Sequence, residues 1–147
     1  MKKYERILVA VDFSEISEHA AHRAAELARF YQARLIYLNV VEHFPEHLPH
    51  YHISRDEMDP EEFILDRTGS DLREMRDRVG LEGAETEVRL CRRSAKAEVL
   101  NFAEENEIDL IVLGSRGQHP LTKMLAGSTA TGIVRAARCD VFTVRGD

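Results

Sequence analysis

Hydrophobic positions along this chain follow two alternating periods. Continuous apolar runs rich in β-branched residues, such as 7–11 and 110–113, are typical of strands buried on both faces of a parallel sheet. Between such runs apolar residues recur at helical spacing, most clearly as an alanine-rich stripe between Ala21 and Ala28. Because strand-like and helix-like segments alternate, the pattern predicts right-handed strand–helix–strand units and an α/β fold.

The pattern and its turn residues give approximate element boundaries. The predicted strands cover 7–11, 33–41, 86–90, 108–113 and 141–144. The first predicted helix begins after a cap at Ser14 or Ser17, and the second runs from Pro60 to about Gly80. The third and fourth predicted helices cover 95–106 and 128–137. Gly69 is expected to weaken the second helix in its middle. The segment 42–59 contains two prolines and four histidines without a sustained period, so we expect a long loop there.

The glycines after the fourth predicted strand carry the strongest chemical signal. Gly114, Gly117, Gly127 and Ser128 have the spacing G-x2-G-x9-G-S, with the last two at the start of a helix. Glycines let backbone N–H groups approach an anion, and a helix N-terminus adds positive potential. The spacing matches neither the P-loop, which needs a lysine after its last glycine, nor the G-x-G-x-x-G fingerprint. It therefore predicts a nucleotide phosphate site of another type.

The rule for open α/β sheets selects further candidates for this site. Ligands of such sheets bind beyond the carboxyl ends of the strands, at the point where the strand order reverses. Asp12, Val40 and Gly114 end the first, second and fourth predicted strands. We therefore expect these three residues, which are distant in sequence, to meet at one crevice. Asp12 and Ser128 also have simpler interpretations, as a turn carboxylate and a helix cap, and the glycines could serve turns alone.

Composition and charge narrow the class of protein. A chain of 147 residues with 44% hydrophobic and 31% charged residues is expected to form one soluble domain over 1–147. The net charge of −6 argues against a nucleic-acid partner. No segment reaches the length of a membrane span, and the run 7–11 is too short for a signal sequence, so we expect a cytoplasmic protein without membrane contact. Cys91 and Cys139 are then expected to be reduced thiols.

The chain resembles the universal stress protein family over essentially its full length. The resemblance rests on residues 7–14, 35–40, 109–114 and 139–144 together with the complete G-x2-G-x9-G-[ST] signature. It implies an adenine nucleotide alpha-hydrolase-like, Rossmann-like α/β fold, with an open, mostly parallel five-stranded sheet and about four helices in three layers. The intact signature is similar to that of the ATP-binding branch of the family.

The resemblance also assigns roles to individual residues. It implies that Asp12 lies near the adenosine, that the Val40 backbone bonds adenine and that Gly114 meets the ribose. The phosphate ligands it implies are Gly117, Gly127, Ser128 and Thr129. Arg116 is a further candidate for phosphate binding because it lies inside the loop, independently of the resemblance. The expected ligand is ATP, with AMP or ADP as alternatives and Mg²⁺ as an accompanying ion. Two residues depart from the family pattern: binders often carry Thr or Ser where this chain has Ala130, and many members have glycine in place of Arg93.

A regulatory role is expected in preference to catalysis. The sequence offers no nucleophile with a base, nor an acid–base pair, beside the expected phosphate site. We expect an adenine nucleotide-binding stress-response module that forms a homodimer through the strand Val141 to Val144 and acts on an unidentified protein client. The alternatives are a nucleotide-independent homodimeric interaction protein and a slow ATPase. Zinc binding by the histidines at 43, 47, 50 and 52 is a remote further interpretation.

Overall fold

A parallel five-stranded sheet with helices on both faces forms the centre of the molecule. The computed structural model describes residues 3–42, 59–115 and 128–146. Its strands are β1 (Arg6–Ala10), β2 (Arg34–Val41), β3 (Glu85–Leu90), β4 (Leu110–Ser115) and β5 (Asp140–Arg145), and its helices are α1 (Glu15–Tyr31), α2 (Pro60–Val79), α3 (Ala95–Glu105) and α4 (Ser128–Ala136). The strand order is β3-β2-β1-β4-β5, and every neighbouring pair is parallel. The predicted α/β architecture is confirmed.

The helix boundaries follow from capping residues. Ser14 caps α1, since its Oγ accepts a hydrogen bond from the Ser17 N–H at 3.2 Å, which decides between the two predicted caps. Asp59 and Ser94 cap α2 and α3 in the same way. Gly80 ends α2 in the left-handed conformation that glycine adopts at low cost. The helix α2 runs unbroken through Gly69, which is buried.

Two apolar clusters cover the two faces of the sheet. One packs α1 and α2 against the sheet and the other packs α3 and α4 against it. β1 lies at the centre of the sheet, and its residues from Ile7 to Ala10 are fully buried, as the continuous apolar run predicted. The strand ends at Ala10, one residue earlier than predicted, although the Val11 N–H still donates to the Leu38 carbonyl at 2.9 Å.

A buried hydroxyl and two cysteines are notable polar groups in and around the core. Tyr37 on β2 is fully buried, and its hydroxyl finds no hydrogen-bond partner within the described part of the chain. Cys91 and Cys139 are not joined in a disulfide bond. Cys91 follows β3 at the carboxyl edge of the sheet, whereas Cys139 precedes β5 at the opposite edge. Among the described residues, every helix is too short or too polar to cross a bilayer.

Candidate functional site

Three strands end side by side at the carboxyl edge of the sheet. β1 lies between β2 and β4, so the residues that follow or end these strands are neighbours in space. The chain leaves β1 for α1 on one face of the sheet, whereas α4 packs on the other face. This reversal creates the crevice in which open α/β sheets bind ligands. The predicted meeting of the ends of the first, second and fourth strands is confirmed at the level of the backbone.

Asp12 is held at this edge by a local turn. Its Oδ1 accepts hydrogen bonds from the Ser14 N–H at 3.0 Å and from the Ser14 hydroxyl. Its own N–H donates to the Ser17 Oγ at 3.3 Å. The structure therefore supports the simpler interpretation of Asp12 as a turn carboxylate that orients the start of α1. A contact between Asp12 and adenosine stays a prediction.

The Val40 backbone points toward the crevice. Along a parallel strand the backbone groups of successive residues face opposite neighbours. The Leu38 carbonyl accepts from Val11 on the β1 side, and the Val41 carbonyl accepts from the Cys91 N–H, at 2.9 Å, on the β3 side. The N–H and C=O groups of Val40 therefore face the β1 side, beyond the last paired residue of β1, Ala10. The adenine hydrogen bonds of Val40 stay a prediction.

Neighbouring side chains fix the geometry of that strand end. Asn39 is a buried polar residue, and its Nδ2 donates to the Val11 carbonyl at 2.8 Å. The bond ties the end of β2 to the residue that follows β1. Asn39 thus holds the two strand ends at a fixed spacing.

Gly114 has a structural reason to be glycine. A Cβ at this position would lie 2.5 Å from the Ile16 Cγ2 and 3.1 Å from the Ile16 carbonyl oxygen. The absent side chain therefore allows the first turn of α1 to pack directly on the end of β4. Beside it, the Ser115 hydroxyl donates to the Val144 carbonyl of β5 at 3.2 Å. The expected ribose contact of Gly114 stays a prediction.

The N-terminus of α4 is suited to an anion. α4 starts at Ser128, next to the expected phosphate loop. The first turns of α1, α2 and α3 each carry at least one glutamate, whereas the first turn of α4 carries no acidic residue. The positive end of the α4 dipole is therefore not offset by a carboxylate of its own first turn. Thr129 is half-buried, and Ala130 is buried in the apolar cluster beneath α4, where a hydroxyl group would lie in the core.

Several predicted residues lie outside the described part of the chain. Arg116, Gly117 and Gly127 belong to the segment 116–127, and the four histidines belong to 43–58. The backbone of Ser128 is described, but its side chain is not. Their phosphate and zinc interpretations stay predictions. Among the described residues no group of three His, Cys, Asp or Glu side chains could hold a metal ion.

Sequence reasoning missed two features at this edge. Phe13 has a φ of 66°, although it is not glycine, and its side chain is 40% exposed between Asp12 and the cap of α1. Lys96 at the start of α3 lies against Gly132 of α4. Neither feature has a signal in a single sequence, because both arise from the meeting of elements that local propensity does not encode.

A groove at the opposite edge of the sheet and the Cys91 thiol are less suited to ligand chemistry. An open groove of about 360 Å³ lies at the opposite edge of the sheet, between the ends of α3 and α4. Its cation, Arg138, forms an ion pair with Glu104 at 3.2 Å, so this groove is a poor phosphate site.

At the carboxyl edge, burial and the nearby Glu42 and Glu98 raise the pKa of the Cys91 thiol. The thiol is therefore protonated at neutral pH and a weak nucleophile.

Known proteins with the same architecture are similar along the whole chain. Residues 3–145 match the model of the universal stress protein family. Universal stress protein A homolog 1 of Coxiella burnetii is 33% identical over 141 residues, which cover 96% of each chain. The structure of universal stress protein UspA from Lactobacillus plantarum matches with a TM-score of 0.69 and 28% identity, over 99% of this chain and 100% of that chain.

Two further solved neighbours contain ligands. One universal stress protein, solved in complex with cAMP, matches with a TM-score of 0.65 and 19% identity, over 97% of this chain and 98% of that chain. Another, from Archaeoglobus fulgidus in complex with dAMP, matches with a TM-score of 0.59 and 24% identity, over 97% of this chain and 98% of that chain. At these identities the likeness shows the fold alone.

Proposed function

Because this chain belongs to the universal stress protein family, we propose that it is an adenine-nucleotide-binding regulatory protein of the stress response. The observation that carries this proposal is the α4 N-terminus, which follows the complete G-x2-G-x9-G-S signature and has no carboxylate in its first turn. It lies at the same edge of the sheet as the Val40 backbone. One end of the crevice thus suits phosphate and the other suits a base.

The residues of the crevice fit an adenine nucleotide. The Val40 N–H and C=O offer one donor and one acceptor, which the edge of adenine can match. The proposed phosphate ligands are Gly117, Gly127, Ser128 and Thr129, with Arg116 beside them, while Gly114 and Asp12 lie toward the ribose and adenosine. Relatives of the same fold were solved with cAMP and with dAMP, which supports an adenine ligand here. We propose ATP as the main ligand, accompanied by Mg²⁺.

The chemistry of the site favours binding over turnover. Backbone amides and a helix N-terminus hold phosphates in their ground state, whereas rapid hydrolysis needs groups that act on the transition state. We expect ATP hydrolysis to be slow or negligible. The bound nucleotide would instead change a surface that a client protein recognises. We propose that residues 1–147 form one cytoplasmic domain.

Thermal melting with added nucleotides tests this proposal. At 100 times the dissociation constant, a ligand that binds only the folded state adds about 2.7 kcal/mol, which raises the melting temperature by about 5 to 10 °C. ATP should give this shift and GTP should not. Gly127→Asp should abolish it, because the added carboxylate repels phosphate, whereas Ser70→Asp on the exposed face of α2 should not. No shift with ATP, ADP or AMP would contradict the proposal and favour a nucleotide-independent interaction protein.

The edge strand β5 supports a homodimer. Among the described residues β5 pairs with β4 alone, so the backbone of Val141 to Val144 on its other edge is available to a second copy. Phe142 on this strand is 41% exposed, and Phe30 of α1 is 75% exposed. Both residues line an open groove of about 540 Å³ between α1 and β5. We propose that two chains pair along Val141 to Val144, which covers this edge and its apolar border.

Sedimentation measures the assembly directly. The wild-type chain should sediment as a dimer at micromolar concentration. Phe142→Lys should shift it toward the monomer, because a charge is costly in an apolar interface. Ser70→Lys places the same charge on the exposed face of α2, near the outer strand β3 on the far side of the sheet from β5. It should leave the mass unchanged. A monomeric wild-type chain, or a dimer that tolerates Phe142→Lys, would refute this interface.

A further inference from the structure

Two helices that begin at the carboxyl edge meet through a lysine and a glycine. Lys96 is the second residue of α3, and Gly132 lies in α4. A Cβ on Gly132 would lie 2.6 Å from the Lys96 Cδ, 3.6 Å from its Cγ and 3.7 Å from its Cε. The aliphatic stem of Lys96 therefore occupies the space that a side chain at position 132 would fill.

This packing sets the region that the Lys96 ammonium can reach. Gly132 is four residues after Ser128, which is about 6 Å along the helix axis from the start of α4. Helical side chains lean toward the N-terminus of their helix, and α3 begins at the same edge of the sheet as α4. The ammonium nitrogen is one bond beyond the Cε. Lys96 thus holds its ammonium beside α4 close to Gly132, from where it can reach toward the α4 N-terminus.

The charge of Lys96 is available to a ligand. Its side chain is exposed, and within the described ranges it forms no ion pair with a carboxylate. Besides neutral backbone groups, this edge of the sheet carries the carboxylates of Asp12, Glu42 and Glu98 and the exposed arginines at 92–93, in a chain of net charge −6. A cation at this place would matter most to a ligand with several negative charges, because Coulomb attraction grows with the charge of the partner.

We propose that the Lys96 ammonium pairs with the terminal phosphates of ATP and makes the site favour ATP over AMP. This assignment rests on the proposed function, which brings the phosphates to the start of α4. Lysine acts on phosphate as a compact point charge. Gly132 is then a positioning residue, because its missing Cβ lets the Lys96 stem lie on α4 and directs the ammonium toward the phosphates.

Calorimetric titration of the full chain with ATP and with AMP tests the assignment. Lys96→Gln should weaken ATP binding by about 10-fold at low ionic strength, as for the loss of one charge-assisted hydrogen bond, and AMP binding by less than about 2-fold. Lys96→Arg keeps the charge and should retain most of the ATP affinity. Arg73→Gln removes an equal charge from the exposed face of α2 and should change neither affinity.

A second variant tests the role of Gly132. Gly132→Ala should weaken ATP binding in the wild-type chain, because the new Cβ displaces the Lys96 stem, but should have no further effect in Lys96→Gln. If the wild-type chain binds neither ATP nor AMP, the proposed function itself fails. If it binds ATP and Lys96→Gln leaves that affinity unchanged, or lowers the ATP and AMP affinities equally, the Lys96 assignment is overturned while the proposed function stands.

Discussion

Gly114→Ala places a methyl group where the first turn of α1 meets the end of β4. The new Cβ would lie 2.5 Å from the Ile16 Cγ2 and 3.1 Å from the Ile16 carbonyl oxygen. The side chain of Ile16 is nearly buried and is stiff in a helix, and its carbonyl belongs to the helix backbone. The clash must therefore be relieved by a shift of α1 against the sheet. Overpacking of this kind costs about 1 to 3 kcal/mol.

Urea and thermal unfolding without nucleotide measure this cost. For a chain of this size, it corresponds to a decrease in melting temperature of about 2 to 12 °C. Gly132→Ala is the matched control, because its Cβ meets only the flexible stem of Lys96 and the helix gains about 0.5 to 1 kcal/mol from alanine. If Gly114→Ala leaves stability unchanged, or if both variants lose the same free energy, the packing account of Gly114 is wrong. The ATP affinities of Gly114→Ala and of the wild-type chain, measured well below the melting temperatures of both, then test the separate ribose role of Gly114.

Three further changes test the core, the site turn and the amino-terminal contact. Tyr37→Phe removes a buried hydroxyl without a described partner and should raise the free energy of unfolding by about 1 kcal/mol; a clear loss would mean that the hydroxyl is bonded. Ser14→Ala should lower it by about 0.5 to 2 kcal/mol in urea unfolding, because α1 loses its cap, and an unchanged midpoint would refute that role. Tyr4 donates to Asp140 at 2.8 Å, which raises the pKa of Tyr4 to about 12, so this contact should stabilise the fold below pH 10 and be lost as the pH rises toward 12. Tyr4→Phe should remove that pH dependence in melting experiments.

The sheet was predictable because each strand has a recognisable local sequence pattern. The run Ile7 to Val11 is apolar and β-branched, which is typical of a strand buried on both faces, and the structure buries it completely. One of the two predicted caps, Ser14, directly precedes α1, and α2 begins at Pro60, where the sequence places the first turn of the second helix. The alternation of such segments leaves few topologies, and parallel order follows from the crossover helices.

The chemistry of the crevice was only partly predictable. Strand ends identify Asp12, Val40 and Gly114 as neighbours, because carboxyl ends of adjacent parallel strands share an edge. Whether a glycine admits a ligand or a helix depends on what approaches it, and the Ile16 contact at Gly114 joins residues 98 positions apart. The contact between Lys96 and Gly132 likewise depends on how two helices pack on the sheet. No period in the sequence specifies such contacts.

Equilibrium dialysis of the purified wild-type chain against labelled ATP shows whether the crevice binds an adenine nucleotide. We expect saturable binding of one ATP per chain, displaced by unlabelled ATP but not by GTP and absent in Gly127→Asp. Folded wild-type protein that retains no ATP above the level of Gly127→Asp would contradict this expectation.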